Sequence, residues 1–353
     1  MRVAIIGGGV IGAAIAYFLS RRGAAPVIIE REAIAAAASG KSGGFLARDW
    51  CDGSPLAPLA QRSFALHQSL ANELSADYGY RPLRTLLAQS VASPNTGQTG
   101  GAWLDRAVNV RGLIGTEETT AQVHPRLFTE ALVDAACGEG AEVRLGRATG
   151  IALEGRRAVG VEVDDDVVAA DAVVIAMGPW SIAASDWLGL APIGGLTGHS
   201  IVLRADVPAE AVFFEGSDAA PEVYPRPDGT VYVCGAPGSQ PLPDAPSQIT
   251  LEDNACANLE QFAASIAKCF GDAEVIAAQA CYRPIAYDGL PLMGAIPGFA
   301  AAYVATGHNC WGILNAPATG EAMAELITAG DVSSLPMSAF DPARFATPRS
   351  HSA

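Results

Sequence analysis

Val3-Ala4-Ile5-Ile6-Gly7-Gly8-Gly9-Val10-Ile11-Gly12 stands at the start of the chain, and how this stretch is read decides the fold. Its first four residues are apolar without polar alternation, the pattern of a strand buried on both faces of a parallel sheet. Gly7, Gly9 and Gly12 follow at G-x-G-x-x-G spacing. Each glycine answers a separate steric demand: Gly7 a sharp turn out of the strand, Gly9 the approach of a pyrophosphate to the backbone, Gly12 close packing of helix on strand. The helix predicted over 13–22 has an apolar face and is stopped by Gly23. A second apolar strand over 26–29 ends on Glu30, which completes a βαβ unit.

That order points to a dinucleotide site. The helix N-terminus offers unpaired N–H groups and the positive end of its dipole to phosphates. Glu30 stands about 20 residues beyond the glycines, where an acid accepts hydrogen bonds from ribose hydroxyls and repels a 2′-phosphate, so NADP is disfavoured. The glycines by themselves leave NAD and FAD open. Beyond Arg31, the small-residue segment Ala35-Ala36-Ala37-Ala38-Ser39-Gly40-Lys41-Ser42-Gly43-Gly44-Phe45-Leu46 replaces a simple next βα unit. Such a segment lets backbone lie against an extended ligand; its plainer reading is a Gly/Ser turn or flexible linker.

Composition bounds the rest. The chain has 353 residues, half of them hydrophobic, enough for a large core and two domains. With 37 acidic residues against 22 Lys plus Arg, the formal charge is −15. Phosphate binding by clustered cations is absent from this pattern, so nucleic acid is not an expected partner, and an acidic surface opposes anionic membranes. No apolar run reaches the ~20 residues of a membrane span, and the first apolar run is itself a strand and not a signal sequence, so the cytoplasm is the expected compartment. Seven cysteines lie scattered with no C-x-x-C pair, which suggests neither a disulfide framework nor a metal site.

Further along, helices are predicted over 55–78, 126–137, 251–270 and 319–329, with strands over 80–91, 141–145, 147–153 and 273–282 and a polar loop over 93–101. Residues 158–163 and 167–170 bracket the acidic turn Asp164-Asp165-Asp166 as a hairpin. The apolar run from Ala172 through Ala176 to Gly178 reads as a buried parallel strand returning to the first sheet. Between 193 and 243 the texture changes to short alternating strands with Pro and Gly turns, an antiparallel sheet. The expected fold class is therefore α/β: a Rossmann-like, doubly wound parallel-sheet domain (1–78, 138–192 and 283–345) interrupted by an α+β substrate domain (79–137 and 193–282). A ligand would be enclosed between the two.

Four blocks in this order resemble the FAD-dependent amine and amino-acid oxidoreductases of the D-amino-acid-oxidase superfamily. They are the opening Ile5 to Gly12; Ala172 to Gly178-Pro179-Trp180-Ser181; Arg283-Pro284 with Asp288-Gly289-Leu290-Pro291-Leu292-Met293-Gly294; and Gly307-His308-Asn309-Cys310-Trp311-Gly312-Ile313-Leu314-Asn315-Ala316-Pro317-Ala318-Thr319-Gly320, which is similar to the glycine-oxidase and sarcosine-oxidase-like branch. The resemblance implies FAD as cofactor, held by Gly7, Gly9, Val10, Ile11, Gly12, Glu30 and Arg31, and by Ser39, Gly40, Lys41, Ser42, Gly43, Gly44, Phe45 and Leu46 along the flavin. It also implies Ala148 near the adenine, with Ala176, Gly178, Trp180, Gly294, Gly307, Gly312, Ile313 and Leu314 completing the site. Arg283 is implied as the binder of a substrate carboxylate, since a guanidinium makes two parallel hydrogen bonds to one. Tyr224 and His308 join it as catalytic candidates, with His199, Cys310 and Trp311 as pocket wall; each of the tyrosine and histidines has a plainer reading as a structural residue.

One departure bears on the substrate. Where the glycine-oxidase branch has an arginine in its Gly-His block, this chain has Cys310, followed by Trp311. A second cation beside the carboxylate is missing, so a bulkier or less acidic amine than glycine is expected. The implied reaction is hydride transfer from the amine-bearing carbon to flavin N5, giving an imine that hydrolyses, with oxygen or another electron acceptor closing the cycle. Two rivals remain at this level: a flavoprotein that keeps FAD without catalysis and serves as an assembly or trafficking factor, and an NAD-dependent dehydrogenase. The purified protein is expected to be yellow with the absorption bands of oxidised flavin; a colourless preparation that cannot be reconstituted with FAD would remove the assignment.

Overall fold

Residues 3–6 alternate between two cores, as the period of a strand demands. Val3 and Ile5 pack with a layer of helices, whereas Ala4 and Ile6 pack with Ile151, Val161 and Val168 on the opposite face. The computed structural model describes residues 1–90, 101–216 and 220–345. In it the strand Arg2–Ile6 lies inside a six-stranded sheet whose order is Leu292–Ala295, Ala302–Thr306, Ala172–Ile175, Arg2–Ile6, Ala25–Glu30 and Glu142–Leu145. All its pairings are parallel except that of the edge strand Leu292–Ala295. The helices Val10–Ser20, Ala57–Glu73, Pro125–Gly138 and Gly312–Ala329 share one core on one face. A three-stranded antiparallel sheet, Ala148–Glu154, Arg157–Val163 and Asp166–Ala169, covers the other, where a doubly wound sheet would carry helices.

The interrupting lobe is a seven-stranded sheet in the order Val275–Ala286, Ile193–Arg204, Thr230–Pro237, Glu222–Pro225, Glu210–Phe214, Arg84–Ser90 and Val108–Gly115. It is antiparallel apart from the pair Glu210–Phe214 with Arg84–Ser90. A small sheet of Phe45–Ala47, Thr120–Gln122 and Arg81–Pro82 joins the small-residue segment to this lobe. The α/β fold with an inserted antiparallel-sheet lobe is thus present. Among the described residues no helix is long and apolar enough to cross a membrane, and the seven cysteines are free thiols.

Several local expectations are corrected. The helix predicted over 251–270 is two, Ala255–Ile266 and Lys268–Gly271, because Ala267 adopts extended backbone between them. The strand expected to end at 282 continues to Ala286, so it crosses the proposed domain boundary at 283. Pro125–Gly138, grouped from sequence with the substrate domain, packs Phe128, Ala131 and Leu132 into the core of the first sheet. Two strands of that sheet, Leu292–Ala295 and Ala302–Thr306, lie between 282 and 319, where no strand was predicted; both are short and bracketed by turns. Of the polar loop over 93–101, all but Gly101 lies outside the described residues.

The last helix begins at Gly312, seven residues before the predicted start, and carries Pro317 inside it. Proline has no N–H, so the carbonyl of Ile313, four residues earlier, loses its helical donor. The helix Ala57–Glu73 repairs the gap. His67 Nε2 lies 3.0 Å from the Ile313 carbonyl and 3.1 Å from that of Leu314, while Ser63 Oγ accepts from the Ala318 N–H at 3.0 Å. His67 is fully buried, and burial pushes its pKa from 6.5 down to about 4, so the native state holds it neutral. The unfolded chain binds the proton first as pH falls, so the stability from this neutral burial is present above pH 6.5 and lost towards pH 4, about 3 kcal/mol in all. His67→Gln keeps an N–H donor without titrating, and the fall of Tm between pH 6.5 and 4 should be shallower in that variant; an unchanged slope would mean another group sets the acid limit.

Candidate active site

A cleft of about 990 Å³ runs from the first glycine turn to the face of the seven-stranded sheet. That is near the upper end of the ~300–1,000 Å³ usual for ligand sites. At its first end Gly7 has φ +116°, and a Cβ there would sit 2.4 Å from the Ala176 carbonyl oxygen. A Cβ on Gly12 would sit 2.0 Å from the Gly7 carbonyl oxygen, so Gly12 is a packing glycine, buried beneath the cleft and not part of its wall. Gly9, Val10 and Ile11 do line it, and Ser39 Oγ accepts from the Val10 N–H at 2.9 Å at the helix start. Glu30 is held by two backbone donors, the N–H of Gly8 at 2.8 Å on Oε2 and that of Glu32 at 2.9 Å on Oε1. Each oxygen keeps a lone pair for a ribose hydroxyl.

Around this end the two lobes are tied together. Arg31 lies 5.3 Å from the Trp180 ring centre and donates to the Asp244 carbonyl, and Trp180 Nε1 donates to the Pro243 carbonyl at 2.7 Å. Glu32 accepts from the Ser247 hydroxyl at 2.7 Å and from its N–H at 3.1 Å. Leu242, Pro243, Asp244 and Pro246 thereby become part of the cleft wall, together with Ala148.

Ser42, Gly43, Gly44 and Phe45 line the middle of the cleft. Gly43 must lack a side chain, because a Cβ would fall 2.4 Å from the Tyr224 ring. Ala176, Gly178, Gly312 and Ile313 face the same space. Three polar atoms of its lining residues have no hydrogen-bond partner although buried: Ser42 Oγ, His308 Nδ1 and Asn309 Oδ1. Buried polar groups are ordinarily satisfied, so these three fit a ligand with donors and acceptors along its edge, as a flavin dinucleotide has. Burial pushes the His308 pKa down to about 3, and its Nε2 is engaged with Thr319 Oγ1 at 3.0 Å, so the ring is neutral.

The far end is built on the seven-stranded sheet. Arg283, Cys281, Cys234, Tyr232, Tyr224 and Glu222 all face the cleft, with Cys310 and Trp311 opposite. Burial pulls the Arg283 pKa down, but Cys310, Cys234, Glu222 and Cys281 around it raise it by more, and the guanidinium is charged. Cys310 hydrogen-bonds with Arg283; burial raises the thiol's pKa against that pull, so the thiol form is favoured. Tyr224 is 4% exposed, and its hydroxyl donates to Glu222 Oε2. Burial first, then Glu222, raises its pKa well above the usual tyrosine value. The ring walls the cleft while the hydroxyl is committed to a neighbour. His199 is likewise committed: its Nε2 accepts from the Glu252 N–H at 3.2 Å.

Seven residues expected at the cofactor do not line the cleft: Gly12, Gly40, Lys41, Leu46, Gly294, Gly307 and Leu314. Gly40 and Gly294 are packing glycines, one against the Ala35 carbonyl and the other against Pro342. Leu46 and Leu314 are core side chains, Gly307 turns the chain at φ +82°, and Lys41 reaches the Ala280 carbonyl at 3.4 Å. Glu222, Cys234, Cys281, Trp50 and Phe213 line the cleft without having been singled out. Strand periodicity carried the signal for two of them, since Glu222 stands two residues from Tyr224, and Cys281 two from Arg283.

Known proteins resemble this chain over most of its length. The family model described as DAO, FAD dependent oxidoreductase, matches residues 2–326. A Schizosaccharomyces pombe protein named "Putative oxidoreductase C1F5.03c" is 30% identical, covering 96% of this chain and 97% of its own. Glycine oxidase of Geobacillus kaustophilus is 29% identical over 92% of each chain. Its crystal structure superposes with a TM-score of 0.84 at 27% identity, over 98% of this chain and all of the other. Glu30→Ala should speed loss of the bound dinucleotide during dilution or gel filtration; full occupancy in that variant would show that the ribose contact is dispensable.

Proposed function

Because the chain belongs to the DAO family of FAD-dependent oxidoreductases, with FAD as its cofactor, we propose that it oxidises the C–N bond of a small amine or amino acid. When bound, FAD supplies at N5 the acceptor for the hydride. The substrate loses that hydride and the amine proton, and water hydrolyses the resulting imine to a carbonyl compound and ammonia or a smaller amine.

The observation that carries this reading is Arg283, a charged guanidinium facing the cleft with no carboxylate within ion-pair distance among the described residues. A substrate carboxylate is the anion that completes it, and two parallel hydrogen bonds would fix the orientation of the carbon to be oxidised. The aromatic side chains of Trp50, Phe213 and Trp311, with Trp50 and Trp311 edge to face at 6.3 Å, exclude water from that end. Neutral His308 adds no positive charge against a cationic amine on its way in. No strong base is required if the amine binds neutral, and the contribution of these residues is then orientation and electrostatics.

Loss of the guanidinium should weaken transition-state binding by about 2 kcal/mol, the size of a charge-assisted hydrogen-bonded pair. Arg283→Ala should therefore lower kcat/KM for carboxylated amines roughly 30-fold, mainly through KM. Anaerobic flavin bleaching with an amine panel checks both parts: an unbleached flavin with every amine removes the reaction, and unchanged kinetics in the variant removes the role of Arg283.

A further inference from the structure

The substrate end of the cleft holds a negative charge as well as a positive one. Glu222 lines it, and the Oε2 atom is pinned by the Tyr224 hydroxyl and by the Cys234 thiol at 3.4 Å. Both partners are neutral donors. No cation lies within ion-pair distance of Glu222 among the described residues, and none donates to Oε1. A carboxylate fixed at a cleft wall by neutral groups gains most from a cation that arrives when the cleft closes over a ligand, because its own water is then displaced.

We propose that Glu222 receives a second, non-reacting cationic nitrogen of the substrate, so that the enzyme acts on dipolar amines with a carboxylate at one end and a basic nitrogen at the other. This rests on the reading of Arg283 as the carboxylate site. The sheet sets the distance between the two charges. Arg283 is on Val275–Ala286 and Glu222 on Glu222–Pro225, with Ile193–Arg204 and Thr230–Pro237 between them. Three strand spacings put the backbones about 14 Å apart across the sheet. They are also offset along it: Arg283 pairs with Leu196, whereas Glu222 pairs with Cys234 and so falls in the row of Ser200, about 13 Å further along. The two side chains reach towards a shared space from well-separated anchors, and Glu222 still raises the Arg283 pKa without forming an ion pair with it. A ligand bridging both must carry its charges on different atoms of an extended chain. The nitrogen at Glu222 is also the one that keeps its proton, since a carboxylate partner favours the charged form, whereas hydride loss needs a neutral amine. The reacting nitrogen is therefore a different one, nearer Arg283.

The test uses the FAD-loaded protein and four chain-matched probes in both enantiomers: lysine and ornithine against norleucine and norvaline. Anaerobic stopped-flow bleaching of the flavin gives KM and the limiting rate, and calorimetry gives Kd without turnover. Lysine or ornithine should show a KM or Kd at least 10-fold below that of its neutral partner. Glu222→Gln should shrink the ratio between the basic probe and its neutral partner about 10-fold. Equal handling of basic and neutral probes by the native protein would overturn the proposal whether or not Glu222→Gln folds, as would an unchanged preference in a variant that retains FAD. If no probe bleaches the flavin, none of the four is a substrate, and the calorimetric comparison still decides on Glu222.

Discussion

The cleft depends on how closely the helix Val10–Ser20 seats against the end of the first strand. A Cβ at Gly12 would come within 2.0 Å of the Gly7 carbonyl oxygen, so nothing larger than glycine permits this approach. The same helix meets Gly320 of the last helix, where a Cβ would lie 2.6 Å from the Ala14 backbone. Two glycine contacts thus set the height of the helix start above the sheet and the position of the last helix beside it. Both helix starts line the cleft, and their spacing comes from sterics before any hydrogen bond to a ligand is made.

The last helix shows how a weak local sequence is rescued. Pro317 would end or kink an isolated helix near its beginning. His67 and Ser63 take over the unpaired groups from a neighbouring helix, which lets the first turn start at Gly312 and bring Gly312 and Ile313 to the cleft. Full burial keeps this imidazole neutral, and its Nε2–H tautomer serves the two carbonyls. Stability and the shape of the site are coupled through this single contact.

The substrate end follows a different logic. Each strand there contributes residues in pairs two apart: Glu222 with Tyr224, Tyr232 with Cys234, Cys281 with Arg283. A pleated strand cannot offer one without the other, so the sheet presents a two-dimensional grid of side chains to the ligand. Charge is sparse on that grid, one cation and one anion among aromatic rings and thiols. Sparse charge in a closed space gives each group more weight in selecting a ligand than it would have in water.

Local spacing was enough to identify the βαβ unit, the glycine turn, Glu30 and the small-residue segment, because each depends on neighbours within a few tens of residues. Resemblance of four blocks extended this to the family and to Arg283. The start of the last helix, the two hidden strands at 292–295 and 302–306, and the sharing of one cleft by Glu222 and Arg283 were decided by tertiary structure alone. His67 and Ile313 are 246 residues apart, and Arg283 and Glu222 come to one cleft only through the order of four strands. Propensity and periodicity act along the chain, whereas those contacts are fixed by which strand lies beside which, and that is settled by the packing of the whole core.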